Sequence, residues 1–363
     1  MAPLEERIGD AKVEVQLIAC GPPVEAYDLW EPLGSTRYYQ WPIVLGYSAG
    51  SMKDQLVIGT RKSPLALWQS EYVKAQIEAT FPHLTVSLKH VITMGDKTQD
   101  SKAAIPSIGG KGLFTAELEE CLLKGEIDLA VHSLKDLPTV VDPRFVVGAI
   151  PPRSFVDDVV VSRSGSKVQD LPFGATIGTS SVRRSSQLLK FRPDLKIAMI
   201  RGNVDTRLKK LRAEGGEYDA IVLARAGLTR LGLEAEITQI LTEDEMLPAP
   251  GQGALGIECR ADDRELLQIL SRLHDRRTAG EVGAERAFLH MLGAGCNTPV
   301  AARATIATSQ GSERLLFVGR CLSPDGSQCL EVRGEDSLDR AMNLGEEMAQ
   351  KALEKGFKSL CAA

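Results

Sequence analysis

The chain has 363 residues, with 43 lysines and arginines against 48 aspartates and glutamates and a net charge of −5. That balance excludes a general nucleic-acid surface, so any concentration of arginine marks a local site in an acidic protein. Hydrophobic and charged contents of 43% and 25% sit at the average of soluble globular proteins, with room for two or three domains.

Residues 1–52 differ from the rest. Trp30, Tyr38, Tyr39 and Trp41 stand there with Pro22, Pro23 and Pro32 among several carboxylates. A secretory signal needs a basic start and an apolar core, and a transit peptide is Arg-rich and acid-poor. Glu5, Glu6, Asp10 and Glu14 come early instead. The expectation is a weakly ordered extension, with a small docking segment as the other reading. No apolar run nears the ~20 residues that span a bilayer. Seven cysteines without a Cys-x-x-Cys pair fit free thiols in a reducing compartment.

From Gln55 strands and helices alternate. The apolar run 55–60 precedes Ser63-Pro64, an N-cap and first-turn proline for a helix with Leu65, Trp68, Tyr72, Val73 and Ile77 at helical spacing. A strand follows at 85–92. Residues 95–112, rich in Gly, Lys, Asp and Ser without periodicity, are expected to form a mobile loop. Leu118, Cys121 and Leu122 mark a helix ended by Gly125, and the strand 128–134 runs into Lys135-Asp136-Leu137-Pro138. A second set begins near Val156, with strands at 159–162, 175–178, 196–200 and 220–224 and helices at about 182–191 and 204–214. Such alternation implies an α/β fold with parallel, doubly wound sheets, whose ligands bind beyond the carboxyl ends of strands. Arg61, Asp136, Ser180, Arg201 and Ala226 each fall just after a predicted strand, which places them in one cleft. Beyond about 281 the pattern changes to a helix, the loop Gly293-Ala294-Gly295-Cys296-Asn297-Thr298-Pro299, three strands near 299–306, 314–322 and 327–333, and a last helix at about 337–355. This is a small α+β domain.

Arginines dominate the candidate site. Arg183 and Arg184 open a helix, where the macrodipole disfavours each cation by roughly 0.3–1 kcal/mol. A lone arginine after a strand is usually a surface ion pair. As a set, Arg61, Arg183, Arg184, Arg201, Arg207 and Arg230 point to a polycarboxylate or phosphate ligand, since guanidinium groups suit bidentate binding. Asn203 and Arg207, four apart, would share a helix face. Asp136 among these arginines should keep a depressed pKa and stay ionised. An ionised carboxylate cannot help to bind an acidic substrate, but it can stabilise positive charge developing on that substrate. Cys121, Cys259 and Cys321 read as inert core thiols. For Cys296, structural and reactive roles are evenly balanced on these grounds. No His or second Cys lies at metal-ligand spacing. Gly109-Gly110-Lys111-Gly112 lacks the P-loop pattern, and Pro250-Gly251-Gln252-Gly253-Ala254 matches no dinucleotide fingerprint, so these glycines read as close backbone approaches or a hinge.

Taken in order, Gly59-Thr60-Arg61-Lys62-Ser63-Pro64-Leu65-Ala66, Val131-His132-Ser133-Leu134-Lys135-Asp136-Leu137-Pro138, Gly178-Thr179-Ser180-Ser181-Val182-Arg183-Arg184, Ile200-Arg201-Gly202-Asn203, Gly251-Gln252-Gly253-Ala254 and Ala284-Glu285-Arg286-Ala287 form a specific set. From Gln55 onward the chain closely resembles the hydroxymethylbilane synthase (porphobilinogen deaminase) family. The resemblance implies two doubly wound, periplasmic-binding-protein-like domains and a small C-terminal α+β domain carrying a cofactor cysteine. Its boundaries would be 53–152 with 251–272, then 153–250, then 273–363. The implied activity joins four porphobilinogen molecules head to tail, releasing ammonia at each step. A dipyrromethane primer, one per chain, would be bonded through Cys296.

Asp136, with Lys135, matches the family's catalytic position. Ser63, Lys135, Asp136, Thr179, Ser180, Arg183, Arg184, Arg207 and Gly253 match cofactor contacts. Arg61, Arg184, Arg201, Gly202, Asn203, Arg207, Arg230 and Phe114 match substrate contacts, with Phe114 and the 95–112 loop as a flexible lid. No metal is implied. The resemblance further implies a monomer with no nucleic-acid or membrane partner. The cytoplasm is the expected compartment, with plastid or mitochondrion open. Domains shifting about hinges would make room for the growing chain. Arg225 is not assigned to the site. The rival reading is a non-catalytic, two-lobed carboxylate-binding protein, which would need neither Asp136 among arginines nor a domain bearing Cys296.

Overall fold

The computed structural model describes residues 53–93, 115–295, 298–309 and 312–362. The described residues belong to one compact body. The expected extension over 1–52, the loop 95–112, Phe114 and Cys296 lie outside the described residues.

In chain order the first elements are β1 (Gln55–Thr60), α1 (Pro64–Thr80), β2 (Thr85–His90), α2 (Ala116–Leu123), β3 (Leu129–Ser133) and β4 (Phe145–Ala149). There follow β5 (Asp158–Ser162), β6 (Thr176–Gly178), α3 (Val182–Phe191), β7 (Lys196–Ala198), α4 (Val204–Arg212), β8 (Ala220–Ala224), α5 (Arg225–Arg230) and β9 (Gln239–Ile240). Then come β10 (Leu255–Arg260), α6 (Arg264–Ser271), α7 (Arg276–Met291), β11 (Val300–Ser309), β12 (Ser312–Leu322), β13 (Cys329–Asp336), α8 (Ala341–Glu354) and α9 (Phe357–Ala362).

Three sheets result, ordered β2-β1-β3-β10-β4, β7-β6-β8-β5-β9 and β11-β12-β13. The first two are mixed, which corrects the expectation of purely parallel sheets. β10 runs antiparallel to β3 and β4, and β5 runs antiparallel to β8. Chain routing gives the reason. After β4 the chain crosses to the second sheet and enters at Asp158, which pairs with Ala224, the last residue of β8. After β9 it returns and enters at Leu255, opposite Ser133, the last residue of β3. A strand entered at the carboxyl edge of its neighbour must run backwards. Both crossovers therefore lie along the edges where the parallel strands end.

Burial on both faces holds each large sheet. In the first, Leu56, Ile58, Leu129, Val131 and Ile257 pack with Val73 and Ile77 of α1 and Leu266 and Leu270 of α6. Ala130 faces the other way, toward Leu118 and Leu122 of α2. In the second, Val160 and Val222 meet Leu188 of α3, while Val159, Val161, Ile221 and Leu223 meet Leu208 and Leu211 of α4. Each such side chain contributes roughly 1.5–3 kcal/mol when fully buried. In the third unit α7 and α8 cover one face of the antiparallel sheet, with Phe288, Phe317, Leu344 and Met348 in the core. Gly345 brings these helices together, since a Cβ there would lie 2.2 Å from the Ala284 carbonyl oxygen.

The two crossovers touch each other. Ser154 N donates to the Gly253 carbonyl at 3.2 Å. Gly253 has φ +85°, and a Cβ would sit 2.5 Å from the Phe155 carbonyl oxygen, so only glycine fits. The close-approach reading of this motif holds at that residue.

Candidate active site

Strand ends supply the site. Beyond β3, residues Leu134–Asp136 form a 3-10 turn in which Leu134 is buried, Lys135 half-buried and Asp136 exposed. Leu134 N donates to the Ala254 carbonyl at 3.0 Å, so the returning crossover fixes the turn. Lys135 Nζ donates to Gln252 Oε1 at 3.2 Å. Gln252 Nε2 in turn donates to the Val156 carbonyl at 2.6 Å and to Asp158 Oδ1 at 3.1 Å. Asp158 takes both arginines of the next sheet. Arg184 Nη2 and Nε reach Oδ1 at 2.7 and 3.1 Å, and Arg183 Nη1 lies 2.7 Å from Oδ2. Carbonyls complete the guanidinium shells, with Arg183 donating to Leu247 and Arg184 to Val222. A polar chain thus runs from the Lys135 turn through the crossovers to the start of α3. At that helix start, where an anionic ligand was expected, both arginines meet a carboxylate of the protein itself.

Burial sets the electrostatics. Asp158 is fully buried, which opposes its charge, yet the Arg183 and Arg184 guanidinium groups overcome this and hold its carboxyl well below the usual range. Protein crowding strips water from the Lys135 ammonium and brings its pKa down to about 8, with Asp136 opposing the fall and Arg184 adding to it. Arg207 is lowered to about 10, by burial first and then by repulsion from Arg184, against attraction from Asp136. Its Nε donates to the Gly202 carbonyl at 2.8 Å. Gly202 itself has φ +112°, a conformation that favours glycine. Four cations, Lys135, Arg183, Arg184 and Arg207, therefore share two carboxylates, Asp136 and Asp158. The excess positive charge fits a ligand rich in carboxylates.

A pH dependence follows. Lys135 is protonated below about 8 and neutral above it. Affinity of a Cys296→Ser protein for a carboxylated pyrrole is expected to fall as pH rises through that value, by up to about tenfold per unit. Lys135→Arg, always charged, should flatten this part of the profile. Equilibrium titration of both proteins from neutral to alkaline pH checks it.

The remaining predicted residues are placed as follows. Ser63 caps α1 by accepting from Ala66 N at 3.3 Å. Thr179 is buried and its Oγ1 accepts from Ser181 N, while exposed Ser180 donates to the Ile200 carbonyl at 2.6 Å. Asn203 stands at the N-cap position of α4, just ahead of the helix rather than on its face, and its carbonyl accepts from Arg207 N. Arg61 follows β1 and Arg201 lies three residues beyond β7, both half-buried. Arg230 is not drawn into the cluster around Asp158. Its Nη2 donates to the Gly253 carbonyl at 2.7 Å, and its guanidinium lies 5.6 Å from the centre of the Trp68 ring. Arg225 stacks 3.6 Å over the Phe155 ring and pairs with Asp157, which accounts for it without a ligand. Cys259 and Cys321 are buried and Cys121 half-buried, and burial pushes the Cys259 thiol up to about 12. No metal-binding group of His, Cys, Asp and Glu occurs among the described residues.

Sequence reasoning missed Asp158 and the role of Gln252. A carboxylate opening a Val-rich strand was one available signal for the first. Lying inside a flagged glycine motif was the signal for the second.

Residues 56–268 match the family model described as porphobilinogen deaminase, dipyromethane cofactor binding domain, and residues 279–354 match that of the porphobilinogen deaminase C-terminal domain. The chain belongs to the porphobilinogen deaminase family. A porphobilinogen deaminase of Syntrophotalea carbinolica is 46% identical over 308 residues, covering 85% of this chain and 95% of that one. Another from Roseiflexus sp. is 45% identical over 313 residues, covering 86% and 100%. Among solved structures, the periplasmic aliphatic sulphonate binding protein SsuA from Escherichia coli aligns at 15% identity over 66% of this chain and 70% of that chain, with a TM-score of 0.34. That superposition is too loose to argue from. The family's dipyrromethane cofactor suits the excess of cations around Lys135 and Arg184.

Proposed function

We propose that this chain is a hydroxymethylbilane synthase, a transferase of tetrapyrrole biosynthesis that condenses porphobilinogen head to tail on a dipyrromethane primer bonded to Cys296. One observation carries the reading: a single exposed carboxylate, Asp136, stands in a cluster otherwise in excess of buried and half-buried cations. Arg183, Arg184, Arg207 and Lys135 hold the acetate and propionate groups of primer and substrate, with Ser63, Thr179, Ser180 and Gly253 beside them. Arg61, Arg201, Gly202, Asn203, Arg230 and Phe114 complete the substrate contacts. When bound, the primer supplies a free pyrrole α-carbon as nucleophile.

The reaction breaks the aminomethyl C–N bond of porphobilinogen, and ammonia leaves with the bonding pair. Positive charge develops on the substrate ring, and Asp136 stabilises it. At about 4 Å and an effective dielectric near 20, such a contact is worth about 4 kcal/mol. Held by Lys135, Arg183, Arg184 and Arg207, the primer would supply the carbon nucleophile for the new C–C bond, losing the proton of that carbon to solvent. Anchoring one partner keeps the step effectively intramolecular.

The three sheets support a division into 53–152 with 251–272, 153–250 and 273–363. One chain carries both the Asp136 turn and the Cys296 loop, so no second copy is needed and a monomer is the natural unit. Free Cys259 and Cys321 suit the reducing cytoplasm. No described helix is long and apolar enough to cross a membrane.

The deciding experiment is the denatured intact mass of the purified protein beside Cys296→Ser. A covalent excess of two pyrrole units, absent from the variant, is expected. A wild-type protein that stays unmodified even after incubation with porphobilinogen would leave the binding-protein reading in its place.

A further inference from the structure

The turn bearing Asp136 is gripped from behind by the third unit. Arg286 lies on α7, only 3% exposed. Its Nη1 donates to the carbonyls of Leu134 at 2.9 Å and Leu137 at 3.0 Å, and its Nη2 donates to that of Pro138. Those carbonyls bracket Lys135 and Asp136. One helical turn further on, His290 Nδ1 meets Thr139 Oγ1 at 3.4 Å. The same helix is pinned on its other side by Glu285. That carboxylate takes both arms of Arg153 at 2.8 Å, Gly251 N at 2.7 Å and Ala304 N at 2.9 Å. Past Met291 the helix runs directly into the Gly293–Cys296 loop.

A guanidinium is the one side chain whose planar fork can reach three carbonyls of a tight turn at once. What the arginine adds is reach and rigidity. The turn that carries the carboxylate meeting the developing cation thus hangs on Arg286.

We propose that Arg286 is a positioning residue, which holds the Lys135–Asp136 turn against α7 so that Asp136 meets the reacting ring. This rests on the synthase reading above. The test compares wild type with Arg286→Gln in intact mass, steady-state kinetics and backbone hydrogen exchange. A glutamine spans at most part of the three carbonyls. Expected are a retained primer mass, a KM within about threefold, a kcat lowered about 10- to 100-fold, as a misplacement near 1 Å would give, and faster exchange confined to residues 134–139. Wild-type kcat in the primer-loaded variant would overturn the proposal, as would a raised KM at unchanged kcat. Exchange rising throughout the chain would also overturn it, because the arginine would then hold the fold rather than the turn. If the glutamine variant does not fold, Arg286→Lys decides. An ammonium keeps the charge but not the fork, so a reduced kcat with faster exchange at 134–139 supports positioning, and wild-type values of both reject it. Wild type lacking primer and turnover would instead sink the synthase reading, which keeps the two failures apart.

Discussion

Replacing Asp136 by alanine is expected to cut turnover by at least about 10²–10³-fold while the protein folds and still carries its primer. The residue is exposed at the end of a 3-10 turn, and the turn is held at Leu134 by Ala254 and Arg286 rather than by the Asp136 side chain. Stability should change by about 0.5 kcal/mol or less. Electrostatics make the loss specific. Removing Asp136 takes away one negative charge and also weakens the charged form of Lys135, which can lose at most one positive charge in return, so the cleft becomes no less positive. Anionic substrate should therefore bind no more weakly, and the defect should fall on kcat. Single-turnover rates and KM, measured beside the intact mass, check this. A variant with wild-type turnover would remove Asp136 from the reaction, and a defect confined to KM would make it a binding residue.

The largest effect on stability should come from Asp158→Asn. Asp158 is fully buried and touches Arg183, Arg184 and Gln252. Neutralising it strands two buried guanidinium groups, a change that costs about 3–5 kcal/mol. A lower urea midpoint is the expected reading. The pH dependence has a definite sign, because the folded-state carboxyl lies below its unfolded value. Its stabilisation is complete above the unfolded pKa of ~3.9 and is lost as pH falls toward the depressed folded value. Wild type should therefore lose stability in acid, and the asparagine variant should lack this part of the slope. An equal midpoint for the two proteins at neutral pH would contradict the argument. Function should suffer too, since Gln252 would keep Lys135 but lose the carboxylate that aligns its amide.

Much of this architecture was legible residue by residue. Ser63-Pro64 announced α1, Gly125 ended α2, and the strand ends after Thr60, Ser133, Gly178 and Ala224 were found where the cleft lies. What escaped was whatever depends on distant partners. β4 and β10 were missed because Phe145–Ala149 and Leu255–Arg260 abut proline-rich and glycine-rich crossovers. Missing β10 hid one antiparallel strand; β5 was found at 159–162 but its direction was not, and with that the placing of Asp158 at the carboxyl edge of β8. Arg286 sat inside a recognised motif, yet its acceptors lie about 150 residues upstream, and no local pattern encodes such a meeting. Arg183 and Arg184 were read as calling for an anionic ligand, whereas the structure pairs both with Asp158, an anion from within the fold.

The routing of the chain also makes the two ends of each large sheet unequal as sites for engineering. The polar chain from Lys135 to Arg184, and both crossovers, crowd the carboxyl edges of the parallel strands. The opposite edge is closed by turns at Gly125, Gly165 and Gly215, each with positive φ and no atom within 4 Å of where a side chain would start. Such open, left-handed turns accept inserted peptides far better than packed backbone does. A reporter helix, an affinity tag or new chain termini made by circular permutation belong at Gly165 or Gly215. The crossover from Ile150 to Asp158, by contrast, has no slack to give, because a single added residue would move Asp158 off the arginines it holds.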